Sequence, residues 1–373
     1  MTRNTLVAAM VCAAVPSMLS AQAASVPAVT APDTTTKITV GGFIDSYYAF
    51  DFNRPANFDR AFTTQPARHN EFNVNLAFME VKLDAPRTRA RLALQAGTSV
   101  QSNYSGEPRN GNISGPDLSR FIQEAVVGAK LADNLWIDGG VFLSHIGMES
   151  FISRDNPIYT RSLVADYSPY YESGAKLTWT PTSTVTAQLD VVNGWQVISE
   201  TNSAKSVGIR VDVAQSATTT YSYFNYIGDD APDSAARRQI RFYNGVGAKV
   251  NITPEFQVMA EADYGTQQRA TGSGSASWYG SMLIGRYQMM ANAALTGRVE
   301  VFRDKDQVVV VTGQPDGLRA TGASIGLDVT PAPRVLWRSE LRGYQGEGAV
   351  FPMNRARFSK NDAFIVTSLG LSF

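Results

Sequence analysis

The sequence predicts an all-β fold, a transmembrane antiparallel up-and-down β-barrel of about 16 strands. Apolar and polar residues alternate with a period of two, almost without interruption, from residue 37 to residue 373. The connections between these segments alternate strictly between short and long. After residue 23, no apolar run approaches the ~20 residues that a membrane-spanning helix needs. A chain with this pattern is expected to cross a membrane with strands.

The first 23 residues have the pattern of a cleaved secretory signal peptide. Arg3 supplies the positive charge, Leu6 to Leu19 form the apolar stretch, and Ala21-Gln22-Ala23 matches a small-residue cleavage site. Residues 24–36 are expected to be a short periplasmic lead-in, and residues 37–373 a single barrel. The one cysteine, Cys12, lies in the signal segment, so neither a disulfide nor a cysteine-based metal site is expected after export.

The charges of the chain are almost balanced. It has 33 basic and 33 acidic residues, of which only Arg3 lies in the signal segment. The exported chain therefore has a net charge of about −1, without the basic stripe of a nucleic-acid-binding protein. No Pro/Gly-rich linker or change of composition divides it into two domains.

Sixteen strand-like segments follow the lead-in. Seven short links of turn residues, such as Thr180-Pro181-Thr182-Ser183, alternate with eight longer links. This arithmetic predicts a barrel with both ends in the periplasm and its long loops outside, whereas a soluble sandwich has no reason to keep the alternation. The approximate cores of the segments are 38–50, 71–83, 88–97, 121–131, 135–146, 170–179, 184–193, 206–213, 218–227, 239–250, 255–265, 277–288, 294–303, 321–329, 334–344 and 362–373.

The polar face of these segments is rich in charge. In 239–250, for example, Phe242 and Val246 oppose Arg241 and Lys249. Because unpaired charges cannot fill a dry core, this face must be wet. The water could lie inside a wide barrel or outside a sandwich, but a sandwich needs a second layer over the apolar face, and none is predicted. The candidates for the lumen wall are Arg89, Arg91, Glu124, Arg210, Arg241, Arg298, Glu300, Arg338, Glu340 and Arg342.

Two segments carry additional information. In 362–373, Ile365, Leu369 and Phe373 share an apolar face, which favours the closing strand of a barrel over an edge strand of a soluble sheet. The segment 71–83 breaks the alternation, because its apolar residues change parity midway. A β-bulge near Phe78 is the simplest explanation.

A resemblance to a known family is carried by five parts of the chain: Gly42-Phe43-Ile44-Asp45-Ser46-Tyr47-Tyr48 leading into Phe52-Asn53-Arg54-Pro55, His69-Asn70-Glu71-Phe72-Asn73-Val74, Asn156-Pro157-Ile158-Tyr159-Thr160-Arg161-Ser162, Gly297-Arg298-Val299-Glu300-Val301-Phe302 and Phe373. In these parts the chain resembles the outer-membrane porins of the OmpL-like β-barrel family of Gram-negative bacteria. The resemblance covers almost all of 37–373 and contains no catalytic signature. It implies an outer-membrane porin that contacts lipid and small hydrophilic solutes and forms a homotrimer. It also implies that the barrel insertion machinery recognises Phe373 as an assembly signal.

The third long loop, 147–169, is the segment most informative about function. Its apolar residues, among them Phe151, Ile158 and Leu163, are too many for a loop fully in water, so the loop must pack on something. The resemblance implies that it folds into the lumen; packing on the barrel rim or a neighbouring subunit is the alternative. In the lumen, its charges would set a transverse field across a constriction. The constriction candidates are Glu149, Arg154, Asp155, Arg161 and Asp166.

Enzymatic and cofactor functions have little support in the sequence. Ser144 adjoins His145, but neighbours on a strand point to opposite faces, which argues against a serine hydrolase. The chain has two histidines, so a histidine-rich metal site is not expected, and Gly272-Ser273-Gly274 lacks the lysine of a phosphate loop. No catalytic residue, cofactor or metal is therefore predicted.

The functional prediction is a water-filled channel for passive diffusion of small hydrophilic solutes or ions, with weak ion preference. Two alternatives remain open: a substrate-specific or gated channel, and a non-conducting structural or adhesive barrel. A strongly gated transporter would need an N-terminal plug domain, and residues 24–36 are too short to form one.

Overall fold

The computed structural model describes residues 35–373, and it shows a closed antiparallel barrel of 16 strands. The predicted signal peptide and most of the predicted lead-in, residues 1–34, lie outside the described residues. The barrel strands are β1 Lys37–Asp51, β2 Phe72–Asp84, β3 Thr88–Ala96, β4 Ile122–Ala132, β5 Leu135–Leu143, β6 Tyr171–Thr182, β7 Val185–Val192, β8 Ser206–Ala214, β9 Thr219–Asp229, β10 Ile240–Asn251, β11 Phe256–Gln268, β12 Ser275–Met290, β13 Ala293–Asp304, β14 Leu318–Ala332, β15 Val335–Gly346 and β16 Asn361–Ser372.

Each strand pairs with its neighbours in sequence, and β16 closes the barrel against β1. The closing pair has Phe43 opposite Ser372 and Phe50 opposite Ile365. Beyond it, the backbones of Gly42 and Phe373 exchange two hydrogen bonds, of 3.0 and 3.1 Å. Closure leaves no unpaired edge among the barrel strands, as the alternation of short and long links predicts.

The connections confirm that prediction. Short turns of two to four residues join one end of the strands, and longer loops join the other end. The long loops contain three short helices, α1 Thr98–Asn103, α2 Pro116–Ser119 and α3 Leu163–Asp166, two 3₁₀ turns, Ser153–Asp155 and Asn354–Ala356, and a small hairpin, Phe351–Pro352 with Phe358–Ser359. Within residues 35–373, none of the helices is long and apolar enough to cross a membrane.

The outer face of the barrel is apolar, and most charged side chains of the strands point inward. On β13, Leu295 and Val299 are exposed on the outer face, whereas Thr296, Arg298 and Glu300 are buried on the inner face. This arrangement is stable only where lipid covers the outer belt.

The bulge in β2 lies at Asn75 rather than near Phe78. The register of β1 with β2 slips there, because Asp45 pairs with Leu76 and Ser46 pairs with Val74. Phe72 therefore points outward and Leu76 inward. The predicted parity change is real, but the bulge lies three residues before Phe78, because Leu76 faces inward and does not share the face of Phe72.

Candidate functional site: the loop-lined lumen

The third long loop, which spans residues 144–170, lies against the inner face of the barrel. The carboxylate of Glu340 on β15 accepts hydrogen bonds from the backbone N–H and the hydroxyl of Thr160, both at 2.8 Å. Glu300 on β13 accepts from the backbone N–H of Leu163 at 2.7 Å. Inward-facing carboxylates thus satisfy loop N–H groups that have no helix or strand partner.

Three wall arginines satisfy the loop carbonyls in the same way. Arg298 donates to Thr160 O at 2.6 Å, and Arg338 donates to Ser153 O at 2.6 Å. Arg342 donates to Arg161 O at 2.7 Å. These are charge-assisted hydrogen bonds, which are the stronger class. The loop is therefore tied to the β13–β15 wall through its own backbone.

The wall residues that hold the loop also pair with one another. Arg342 contacts Glu300 at 2.5 Å, Arg298 contacts Glu340 at 3.0 Å, and Arg338 contacts Asp328 at 2.8 Å. These five predicted wall residues, Arg298, Glu300, Arg338, Glu340 and Arg342, are all buried. They form a packed interface between loop and wall.

Burial divides the five constriction candidates. Glu149 accepts from the backbone N–H of Ser162 at 2.9 Å, and the Arg161 guanidinium lies 3.9 Å from the ring centre of Tyr170. Asp166 accepts from the Tyr170 hydroxyl at 2.7 Å, and burial raises the pKa of its carboxyl despite the nearby Arg161. These three candidates are buried and help to pack the loop, and Glu149 and Arg161 also line a cavity of about 210 Å³ at its start.

Arg154 and Asp155 are the most exposed of the five candidates. The exposed fractions of their side chains are 26% and 50%. Arg154 donates to Ser372 Oγ at 2.9 Å and lies over the ring of Phe43 at 5.0 Å, so it extends to the closing seam of the barrel.

The remaining wall candidates lie on β3, β4, β8 and β10. Arg89 forms a salt bridge with Asp138, and Arg91 forms salt bridges with Glu80 and Glu124. Arg210 pairs with Asp212 at 2.8 Å, and Arg241 pairs with Asp230 at 2.9 Å.

A water-accessible cavity of about 280 Å³ lies on the inner side of β2–β6. The basic side chains there are much more exposed than the arginines under the third loop: Arg89 is 34% exposed and Lys82 is 41% exposed. The residues that line the cavity are Lys82, Asp84, Arg89, Ala90, Arg91, Glu124, Val126, Asp138 and Lys176.

Other long loops also enter the interior, which the sequence analysis missed. Val310 of the seventh loop and Phe351 of the eighth are buried in the same apolar cluster as Ile158 and Leu163. Trp195 of the fourth loop packs against that cluster, and Tyr104 of the second is buried in a smaller one. The sequence contains a signal for this packing, because all four side chains are large apolar or aromatic groups in long loops.

The sequence analysis also missed a polar cluster at the start of the third loop. Because β5 ends at Leu143, the strand argument does not apply to Ser144 and His145, and both bind the carboxylate of Glu172, at 3.1 and 3.0 Å. His145 also lies 3.3 Å from Asp190.

The comparisons with known proteins agree with this architecture. A model of the family described as "Putative beta-barrel porin-2, OmpL-like" matches residues 37–373. A comparison with curated proteins gives no match. Among solved structures, the outer membrane channel DcaP of Acinetobacter baumannii is 11% identical with a TM-score of 0.61, covering 92% of this chain and 99% of that one.

OmpT, an outer membrane protein of Vibrio cholerae, is 7% identical with a TM-score of 0.58, again covering 92% of this chain and 99% of that one. Its trimer form is 8% identical with a TM-score of 0.56, covering 91% of this chain and 100% of that one. At these identities the likeness establishes the fold, and the family match extends over the whole barrel. The fold and the family together indicate a channel rather than an enzyme. The chain belongs to the OmpL-like β-barrel porin family, and it is a porin of the outer membrane.

Proposed function

We propose that this porin passes small hydrophilic solutes or ions by passive diffusion, through a narrow route between the third loop and the inner face of β2–β6. The unequal exposure of the inward charges carries this proposal. On β13–β15 the wall arginines are sealed under the loop, whereas Lys82, Arg89 and Arg91 remain in contact with water. Charged side chains that stay hydrated inside a closed barrel mark the wet part of its lumen.

Arg154 and Asp155 contribute the charges of the loop to this route. Both are partly exposed, so they are the constriction candidates able to act on a permeating ion. Four basic side chains, Lys82, Arg89, Arg91 and Lys176, face Asp84, Glu124 and Asp138 around the cavity. Glu80, which forms salt bridges with Lys82 and Arg91, balances the fourth basic group, so only a weak ion preference is expected.

Single-channel recording in planar bilayers tests the route. Replacing Lys82→Gln and Lys176→Gln together should move the reversal potential in a salt gradient toward cation preference, because both lysines line the cavity. The matched control is Lys305→Gln with Lys360→Gln, two exposed lysines of the seventh and eighth loops. If the wild-type protein forms no channels, the proposal of conduction is refuted. If the reversal potential shifts equally in the two double variants, the route along β2–β6 is refuted.

A gated or substrate-specific channel is the second candidate. The inward packing of Trp195, Val310 and Phe351 supports it, because several loops then narrow the lumen. Such a channel should show a small conductance that a preferred solute blocks in a saturable way. Passive diffusion predicts a current that rises in proportion to salt concentration.

We propose further that residues 1–23 direct export in a Gram-negative cell, that the barrel insertion machinery recognises Phe373, and that the barrel carries no catalytic activity.

The proposed recognition of Phe373 can be tested by deletion. The Phe373 ring covers Gly42 at the closing seam. Loss of this ring costs only about 1–3 kcal/mol of burial. Deletion of Phe373 should therefore lower the outer-membrane level of the protein more than the stability of what is inserted; an unchanged level speaks against recognition.

We propose a homotrimer as the assembled form. An outward groove of about 600 Å³ lies over β1, β2, β15 and β16, and its lining includes the polar groups of Ser46, Asn73 and Thr367. Polar groups on an outer belt are better placed against protein than against lipid, and a trimer form is described for OmpT of Vibrio cholerae. Cross-linking of the protein in detergent should give a three-subunit band; a single-subunit mass in light scattering would contradict it.

A further inference from the structure

Three potential metal ligands meet at the start of the third loop. They are His145 of the loop, Glu172 of β6 and Asp190 of β7, and they are buried. His145 Nδ1 lies 2.9 Å from Glu172 Oε1 and 3.3 Å from Asp190 Oδ2. One ligand atom from each residue lies within 4.8 Å of the others.

We propose that His145, Glu172 and Asp190 bind a divalent first-row transition metal ion of the Zn²⁺ type, which fastens the start of the third loop to the barrel wall. An imidazole with two carboxylates is a mixed donor set that suits Zn²⁺ and its neighbours. Mg²⁺ and Ca²⁺ prefer oxygen ligands alone, so they are expected to bind weakly.

The imidazole is oriented as a metal ligand should be. Its Nε2 lies 2.7 Å from the backbone carbonyl of Asn225, an acceptor, so Nε2 carries the proton and donates. When the ring is neutral, the lone pair of Nδ1 is directed at the two carboxylates, 2.9 and 3.3 Å away. A cation between these groups resolves the repulsion that three electron-rich donors would otherwise have.

The carboxylates are held in place as well. Gln188 Nε2 donates to both oxygens of Asp190, at 3.1 and 2.8 Å, and Ser144 Oγ donates to Glu172 at 3.1 Å. Hydrogen bonds of this kind around a donor set fix its geometry and tune its affinity.

The spacing of the donors fits a coordination polyhedron. Ligand bonds of about 2.1 Å place neighbouring donors roughly 3.0–3.4 Å apart, close to the separations of 2.9 and 3.3 Å from Nδ1. Gly208 provides the room for the imidazole, because a Cβ there would lie 2.3 Å from two of its ring atoms. A proton on Nδ1 is the competing occupant, and it would turn the cluster into an ion pair.

The metal ion would join three separate segments. Arg210 adds to the same junction by donating to the carbonyls of His145 and Gly147, at 2.9 and 2.8 Å. Because the loop begins here, occupancy of the site should limit how far its first residues move from the wall.

Calorimetric titration of the folded, chelator-treated porin with ZnCl₂ tests this inference. We expect one Zn²⁺ per barrel, and Asp190→Asn and His145→Gln should each weaken binding by at least about tenfold. Zinc X-ray absorption should show one imidazole and oxygen ligands. His69→Gln is the matched control, because His69 is the other histidine of the chain.

Heat-dependent gel migration of each variant establishes that the barrel has folded before titration. Absence of Zn²⁺ binding by the folded wild type would overturn the inference in favour of the ion pair. So would binding that survives Asp190→Asn and His145→Gln, or that His69→Gln abolishes. Binding is measured without conductance, so this result is independent of the diffusion route.

Discussion

At the scale of single residues, alternation along the strands predicted which charges point inward but could not predict which remain wet. The alternation places both Arg89 and Arg298 on the inner face of their strands. Arg89 contacts water, whereas Arg298 is buried under the third loop. The difference depends on a loop more than a hundred residues from Arg298, and a local pattern holds no information about that contact.

His69 makes the first long loop sensitive to acid. Its Nδ1 accepts from the backbone N–H of Asp51 at 2.9 Å, and burial lowers the pKa of the imidazole below its usual 6.5. The folded loop therefore favours the neutral form of His69. The resulting contribution to the stability of the loop is complete above pH 6.5, and it is lost as the pH falls through the lower pKa of the folded state.

Hydrogen-exchange protection in residues 52–71 should therefore be lower at about pH 5 than at about pH 7.5. In His69→Gln, which does not titrate in this range, protection should be the same at both values. An equal loss of protection in the variant would assign the effect to another group.

Gly42 is required by close packing at the closing seam. A Cβ at this position would lie 2.4 Å from Phe373 Cζ and 2.6 Å from the carbonyl of Phe78. Gly42→Ala should destabilise the barrel by about 1–3 kcal/mol through overpacking. Thermal unfolding in detergent measures the loss.

Gly297→Ala on β13 is the control for that change, because the nearest atom to its Cβ would be 4.0 Å away. The control should unfold close to the wild-type temperature. If the two variants unfold at the same temperature, the seam is not tightly packed.

At the scale of elements, all sixteen strands and the alternation of turns and loops were predictable, because each follows from a local period and local turn chemistry. The contacts of the third loop were not. Its apolar residues showed that it must pack on something, but its partners, such as Glu340 for Thr160, are set by three-dimensional placement. Trp195 and Val310 also enter the interior. The sequence predicts this in the same way, because apolar residues in the fourth and seventh loops must pack on something, but that reasoning was applied only to the third loop.

Thr160 attaches the third loop to three buried charged side chains of the wall. Its hydroxyl donates to Glu340 at 2.8 Å and accepts from Arg298 at 2.8 Å and Arg342 at 3.0 Å. Thr160→Val keeps the shape but leaves these buried charges short of a partner, at a cost of about 1–3 kcal/mol. The loop should loosen, so single-channel current should become noisier and larger on average.

Thr321→Val is the matched control, since Thr321 is exposed on the outer face of β14. Its current should equal that of the wild type. A Thr160→Val channel with unchanged current and noise would show that the loop does not limit conduction.

At the scale of the whole molecule, the fold could be predicted because a membrane barrel has few alternatives. Every backbone N–H and C=O that crosses lipid needs a partner within the protein. Because residues 35–373 contain no helix long and apolar enough to cross a membrane, a closed sheet is the remaining solution for them. The width of the water path could not be predicted in this way, because it depends on how several loops pack together inside.

Closure should make the barrel resist unfolding as a unit. A sheet without edges must break a full row of hydrogen bonds before it can open, and here that row includes the pairing of β16 with β1. The folded protein should therefore migrate differently on a denaturing gel before and after boiling. Ile365→Pro, in the middle of β16, removes a ladder donor opposite Phe50 of β1 and should lower the temperature of this conversion. Ser273→Pro in the exposed sixth loop should leave it unchanged. Identical migration of boiled and unboiled wild-type protein, or equal conversion temperatures in the two variants, would mean that the seam between β1 and β16 does not hold the barrel closed.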